Sequence, residues 1–143
     1  MSRILAATLL ASALLFNSGC AVNRATATAD PSLQWDSLKS LHVKKLEGED
    51  GSVRKLIVEK FRASGFAVST DPEPAVKPDA VVTYHDKWMW DITMYLLELT
   101  ITLHDPRSDV AVASGNSLHT SLTRKSPKEM VDEVVDNILK QKK

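Results

Sequence analysis

The chain has 143 residues, with 18 Lys and Arg against 18 Asp and Glu, 43% apolar residues and a single cysteine. This composition excludes a disordered, collagen-like or coiled-coil protein, and the length allows one domain rather than two. The charge balance argues against a nucleic-acid binder, and one cysteine excludes both an internal disulfide framework and a multi-thiolate metal site.

The first feature in chain order is residues 1–19. Arg3 is the only charged side chain before residue 24, and it is followed by thirteen uncharged residues, 4–16. That run is too short for a helix crossing a bilayer, which takes about 20 apolar residues. With the small residues Ser18 and Gly19 behind it, it has the pattern of a secretory signal. Cys20 stands where a lipoprotein signal places its modified cysteine. Asn17-Ser18-Gly19-Cys20 resembles a bacterial lipobox, in which a diacylglycerol is attached to the thiol and the chain is cut just before it; Asn17 departs from the usual Leu. The resemblance implies acyl chains of the palmitate type on Cys20 and a membrane partner. Ala21, in place of an Asp, implies the periplasmic side of an outer membrane. An alternative is cleavage near Ala27 at the Ala25-Thr26-Ala27 pattern, which would release a soluble periplasmic or secreted protein.

Cleavage before Cys20 leaves 124 residues and removes only Arg3 from the charges, so the mature balance is −1. Residues 20–34 are small and polar after the cysteine, with no apolar period, and are expected to form the anchor and a flexible tether. A single domain is expected over 35–143.

Within that domain, Leu38, Leu41, Val43 and Leu46 mark a first strand, ending in the turn-rich segment 47–51. Val53, Leu56, Ile57 and Phe61 recur at the three/four spacing of a helix over 52–64, and Gly65 sits where such a helix stops. A short strand over 66–70 precedes a loop with three prolines, 71–78. Residues 80–85 read as the next strand and 86–91 as a turn. Residues 94–104 alternate most clearly, with Tyr95, Leu97, Leu99, Ile101 and Leu103 on one side and Glu98, Thr100 and Thr102 on the other. After a turn at 105–109, residues 110–119 return as a strand. Ser126-Pro127-Lys128-Glu129 is a capping box with proline at the first helical position, and Val131, Val134, Val135, Ile138 and Leu139 form the stripe of the helix it opens.

The order strand-helix-strand-strand-strand-strand-helix (βαββββα) predicts an α+β two-layer sandwich. Its mostly antiparallel sheet has about five strands, with two helices on one face. The text of residues 80–99, Asp105-Pro106-Arg107-Ser108-Asp109, Ala113-Ser114-Gly115-Asn116-Ser117 and Lys125-Ser126-Pro127-Lys128-Glu129-Met130-Val131 resembles a group of small bacterial lipoproteins. Their order of elements is similar to the envelope α/β domains of the TolB amino-terminal and CsgG-like type. That resemblance implies fold and compartment and brings no catalytic motif.

Residues 84–91, Tyr-His-Asp-Lys-Trp-Met-Trp-Asp, are the densest in chemistry. Hairpin pairing is expected to gather Tyr84, His85, Trp88, Trp90 and His119 at one end of the sheet, as a candidate binding surface. The bland alternative is that Trp88 and Trp90 cap the core. No metal is expected, because His42, His85, His104 and His119 show no ligand spacing and at most His85 and His119 would meet. There is no G-x-S-x-G elbow and no phosphate-binding glycine loop, so no catalytic residue and no cofactor are expected. The Thr-rich side of 98–102, or an unprotected strand edge, is a second docking candidate. Two functions are therefore expected to compete. The first is a non-enzymatic envelope lipoprotein that binds another protein or assists assembly at the outer membrane. The second is a periplasmic module binding a glycan, lipid or peptide at the Trp88/Trp90 end.

Overall fold

A computed structural model describes residues 22–72 and 74–142. The signal and Cys20 lie outside the described residues. Six strands form one sheet: β1 (Asn23–Ala29), β2 (Ser40–Val43), β3 (Ala67–Thr70), β4 (Ala80–Asp91), β5 (Thr93–His104) and β6 (Ala111–His119). Helices α1 (Ser52–Ala63) and α2 (Pro127–Leu139) pack on each other and on one face of that sheet. The fold is an α+β two-layer sandwich.

The spatial order is β1-β6-β5-β4-β2-β3. The β1/β6, β5/β6 and β4/β5 pairs are antiparallel, whereas β2 runs parallel to both β3 and β4. Three of the five strand pairs are antiparallel, so the sheet is mostly antiparallel as expected; it is mixed because α1 returns the chain to start β3 alongside β2. It also has one strand more than expected. Residues 23–29, read above as tether, are not a coil: all seven pair with β6, from Asn23 opposite His119 to Ala29 opposite Ala113. The segment carries no large apolar side chain, yet its Ala/Thr alternation is a strand period. Ala27 and Ala29 pack against the core under α2, and the threonines face outward.

Both helix ends follow local chemistry. At the end of α1, Gly65 adopts a left-handed φ of 95°. The Phe66 amide reaches back to the Phe61 carbonyl at 3.1 Å and the Gly65 amide to that of Arg62 at 3.0 Å. The rings of Phe61 and Phe66 meet edge to face at 5.8 Å, closing a Schellman turn with its apolar contact. At the start of α2, the capping box forms as expected: the Ser126 amide donates to Glu129 Oε2 at 2.8 Å and the Glu129 amide to Ser126 Oγ at 3.3 Å.

The core fills the layer between sheet and helices. Leu41, Val43, Val82, Leu99, Ile101 and Leu103 meet Val53, Ile57 and Phe61 of α1 and Met130, Val134 and Ile138 of α2. Gly115 lets α2 lie directly on β6, since a Cβ there would sit 2.8 Å from Ile138 Cγ1 and 3.0 Å from Val134 Cγ1. Alternation along β5 holds from Leu103 to Leu99 and then slips. Lys87 pairs with Glu98 but Trp88 with Leu96, leaving Leu97 as an extra residue in a β-bulge. The bulge turns Leu96 into the core, and it moves Tyr95 to the open face.

Candidate functional site

β4 does not end at His85 but continues to Asp91, so the expected turn at 86–91 is itself strand. The reversal comes at Ile92, with Asp91 paired to Thr93. β6 accompanies β5 only as far as Glu98, and β2 accompanies β4 only over Ala80–Val82. From Lys87 to Glu98 the chain is therefore a two-stranded ribbon projecting from one end of the sheet by about 15 Å, at roughly 3.3 Å per residue.

Register assigns the ribbon's faces. Val82 and Tyr84 face the helices, so Asp86, Trp88 and Trp90 lie on that side, opposite Leu96 and Met94. His85, Lys87 and Met89 lie on the other side. Trp90 is 67% exposed, Met94 57% and Ile92 87%, with Trp88 and Met89 also open to solvent. Trp90 thus stands open to solvent, whereas Trp88 lies opposite the fully buried Leu96 at the end of the core. Trp88 Nε1 donates to Asp86 Oδ2 at 2.8 Å. A shallow groove of about 460 Å³ runs between Trp88, Asp86 and His85 and the loop 46–50.

The five candidate residues do not form one site. Tyr84 is buried, and its hydroxyl donates to Glu49 Oε1 at 2.6 Å; burial and that carboxylate both push the phenol pKa up. His85 lies on the opposite sheet face from His119, because it stands level with Thr100 and Asn116 whereas His119 shares a face with Ser117. The two histidines expected to meet therefore do not. His104 sits at the other end of β5, bonded to Thr83 at 2.8 Å through Nε2.

His119 belongs to a buried polar cluster that the sequence did not announce. His119 Nε2 lies 2.8 Å from Glu133 Oε2, Ser117 Oγ donates to the same oxygen at 2.6 Å, and Lys125 Nζ pairs with Oε1. Burial pushes the Glu133 pKa up, but the hydrogen bonds from Lys125, Ser117 and His119 and the lysine charge outweigh it and hold it at about 2. The carboxylate is ionised, so Nε2 carries the proton in this bond. Ser117 is fully buried and donates to Glu133 rather than to His119. The cluster ties β6 to α2, and its signal in the sequence was a Glu interrupting the apolar side of α2 between Met130 and Val134.

A second unannounced contact grips the ribbon. Arg124 donates from Nη1 to Thr93 Oγ1 at 2.8 Å and from Nη2 to the Asp91 carbonyl at 2.7 Å. Its guanidinium carbon lies 4.2 Å from the centre of the Tyr95 ring, and Ser121 bonds to the Asp91 carboxylate. In the same turn, Thr120 and Thr123 bond to the Val22 carbonyl, at 3.2 Å through the Thr120 amide and 3.1 Å through Thr123 Oγ1.

Among the described residues, no group of three or more His, Cys, Asp or Glu side chains is placed to hold a metal, and no helix is long and apolar enough to cross a membrane.

No family model matches the sequence, and no curated protein matches it. Solved structures do share the fold. PelC from Paraburkholderia phytofirmans, crystallised as a dodecamer, is similar at 17% identity with a TM-score of 0.57, covering 84% of this chain and 96% of PelC. A PDZ domain protein from Parabacteroides distasonis is similar at 12% identity with a TM-score of 0.54, covering 92% of this chain and 39% of that one. TolB from Acinetobacter baumannii matches at 14% identity with a TM-score of 0.46, over 82% of this chain and 31% of TolB. The chain spans well under half of the latter two proteins. At these identities the likeness to PelC and to the PDZ domain protein shows the fold alone.

Proposed function

We propose that the protein is a non-enzymatic envelope lipoprotein, anchored through Cys20 on the periplasmic side of the outer membrane, that binds another protein as an assembly factor. The observation that carries the binding role is the outer edge of β1. It is seven residues long, free of proline and bulges, and bears one charge, Arg24. Strand edges in natural proteins are usually blunted by shortness, charge, proline or bulges, and this one is built to accept a further strand. The dodecamer formed by PelC, a chain of similar fold, supports an assembly role. The lipobox-like Asn17-Ser18-Gly19-Cys20 supports the anchor.

Site-specific photocrosslinking in cells tests the edge. A probe at Thr28 should give a discrete adduct that a probe at exposed Glu59 on α1 does not; identical adducts from both positions would remove the edge as a docking site. Cys20→Ala should abolish palmitate labelling and shift the protein to the soluble periplasmic fraction, and labelling that survives it would refute the anchor. The groove beside Trp88 favours a second reading, a ligand-binding module for a glycan, lipid or peptide. Titration with such ligands would then change tryptophan emission.

A further inference from the structure

The β4–β5 ribbon carries its apolar side chains on every side. Trp88, Trp90 and Met94 project from the helix side, Met89 from the other, and Ile92 from the tip. A protein groove covers one face of such a ribbon; a lipid interface surrounds it. Tryptophan is also the side chain that settles at the boundary between headgroups and acyl chains. The acid nearest the tip, Asp91, is paired with Arg124 at 3.3 Å, and Lys87 stands at the wedge's base.

The position of the chain's start points to the same occupant. β1 runs antiparallel to β6, which places Asn23 opposite His119, at the end of the sheet from which the ribbon projects. Val22 is bonded to Thr120 and Thr123, and Arg124 of that turn holds the ribbon at Asp91 and Thr93. Only two peptide steps separate Val22 from Cys20, a reach of at most about 7 Å. A membrane holding lipids on Cys20 is therefore held at the ribbon's end of the molecule. With the ribbon along the membrane normal, its tip leads the molecule on the side where the chain enters at Val22, and the wedge suits the roughly 5–10 Å depth of interfacial insertion.

We propose that the tip of the β4–β5 hairpin is a second membrane contact, a Trp88/Met89/Trp90/Ile92/Met94 wedge that enters the lipid interface beside the acylated Cys20. It rests on the lipoprotein reading for its orientation. The two contacts fix the domain's tilt, since one flexible lipid anchor leaves it free to swing. Such an orientation would present β1, which runs away from the membrane, in a constant direction to partners.

The test uses the full processed protein, purified in detergent and reconstituted into vesicles of phosphatidylethanolamine and phosphatidylglycerol with brominated acyl chains. The three tryptophans divide usefully, because Trp35 is buried near the opposite end of the sheet. Bromine should quench the emission by roughly half, and insertion should shield it from aqueous iodide, as expected for residues at the interfacial belt. Trp88→Ser/Trp90→Ser should leave a Trp35 signal that bromine does not touch, and the milder Trp90→Ser should keep only the part of the quenching that Trp88 carries. Tryptophans that stay open to iodide on the vesicle overturn the wedge, as do tryptophans shielded from both quenchers, which a covering protein surface would produce. Mass spectrometry of the same preparation reads the anchor separately. Acylated Cys20 without quenching refutes the wedge alone, and quenching without acylation upholds the wedge while refuting the anchor.

Discussion

Replacing Glu133 by Gln removes one charge from the latch between β6 and α2 while keeping the side chain's shape. In the folded protein the carboxyl titrates at about 2, against an ordinary 4.5. At 1.36 kcal/mol per pH unit the difference corresponds to about 3 kcal/mol of stability at neutral pH. The carboxylate is 20% exposed, and solvent screening brings the expectation to roughly 2–3 kcal/mol. The sign follows from proton binding. The unfolded chain takes up the proton more readily than the folded one, so the contribution is fully present above about pH 4.5 and is lost as the pH falls toward 2. Gln also presents an NH₂ group to the donors Ser117, His119 and Lys125, which leaves at least one of them unpaired. Urea unfolding of both proteins, followed by circular dichroism, should show a loss of about 2–3 kcal/mol at pH 7 that narrows steadily below pH 4.5. In thermal scans the neutral-pH difference would appear as a drop of roughly 10 °C. An equal loss at pH 3 and pH 7, or a loss at pH 7 under about 0.5 kcal/mol, would refute the assignment of Glu133 as the charged centre of the latch.

Three further substitutions probe the elements that set the architecture. Gly115→Val should cost about 1–3 kcal/mol, because its side chain meets Ile138 and Val134 where α2 lies on β6; a thermal midpoint equal to the parent's would show that α2 shifts freely. Ser126→Ala should lower stability by about 1 kcal/mol through loss of the α2 cap, read as a smaller urea midpoint with an unchanged m-value. Ile92 holds a left-handed φ of 62°, unusual for a β-branched residue, so Ile92→Gly should raise stability by up to about 1 kcal/mol. The same change should weaken vesicle quenching of Trp90. A less stable Ile92→Gly protein would mean that the strain assigned to the turn is absent.

Local signals in the chain were enough for α1, α2 and the centre of β5. Gly65 and the Ser126–Glu129 pair act on backbone groups within one helical turn, and the apolar periods at 53–61 and 131–139 need only one buried face to be read. The fold class followed from the order of those elements. β1 escaped because its strand is built from alanine and threonine, too small to mark a core by hydrophobicity. Its order comes from the ladder of hydrogen bonds to β6, a partner nearly ninety residues away. Leu97 could not be recognised as a bulge from the alternation around it, since the extra residue is defined only by what β4 places opposite. For the same reason the expected gathering of Tyr84, His85, Trp88, Trp90 and His119 came apart: strand parity sends His85 and His119 to different faces, and the length of β4 carries the tryptophans outward.

The sequence by itself determined which residues are helical, which are apolar on one side, and that a single cysteine follows a signal-like leader. Those properties depend on neighbours within a few positions. The tertiary structure decided that Trp88 and Trp90 stand on an exposed ribbon, that half-buried Glu133 is held by Ser117, His119 and Lys125, and that Val22 emerges beside that ribbon. Each of these depends on pairing across strands far apart in the chain, where register and a single bulge choose the face on which every side chain stands.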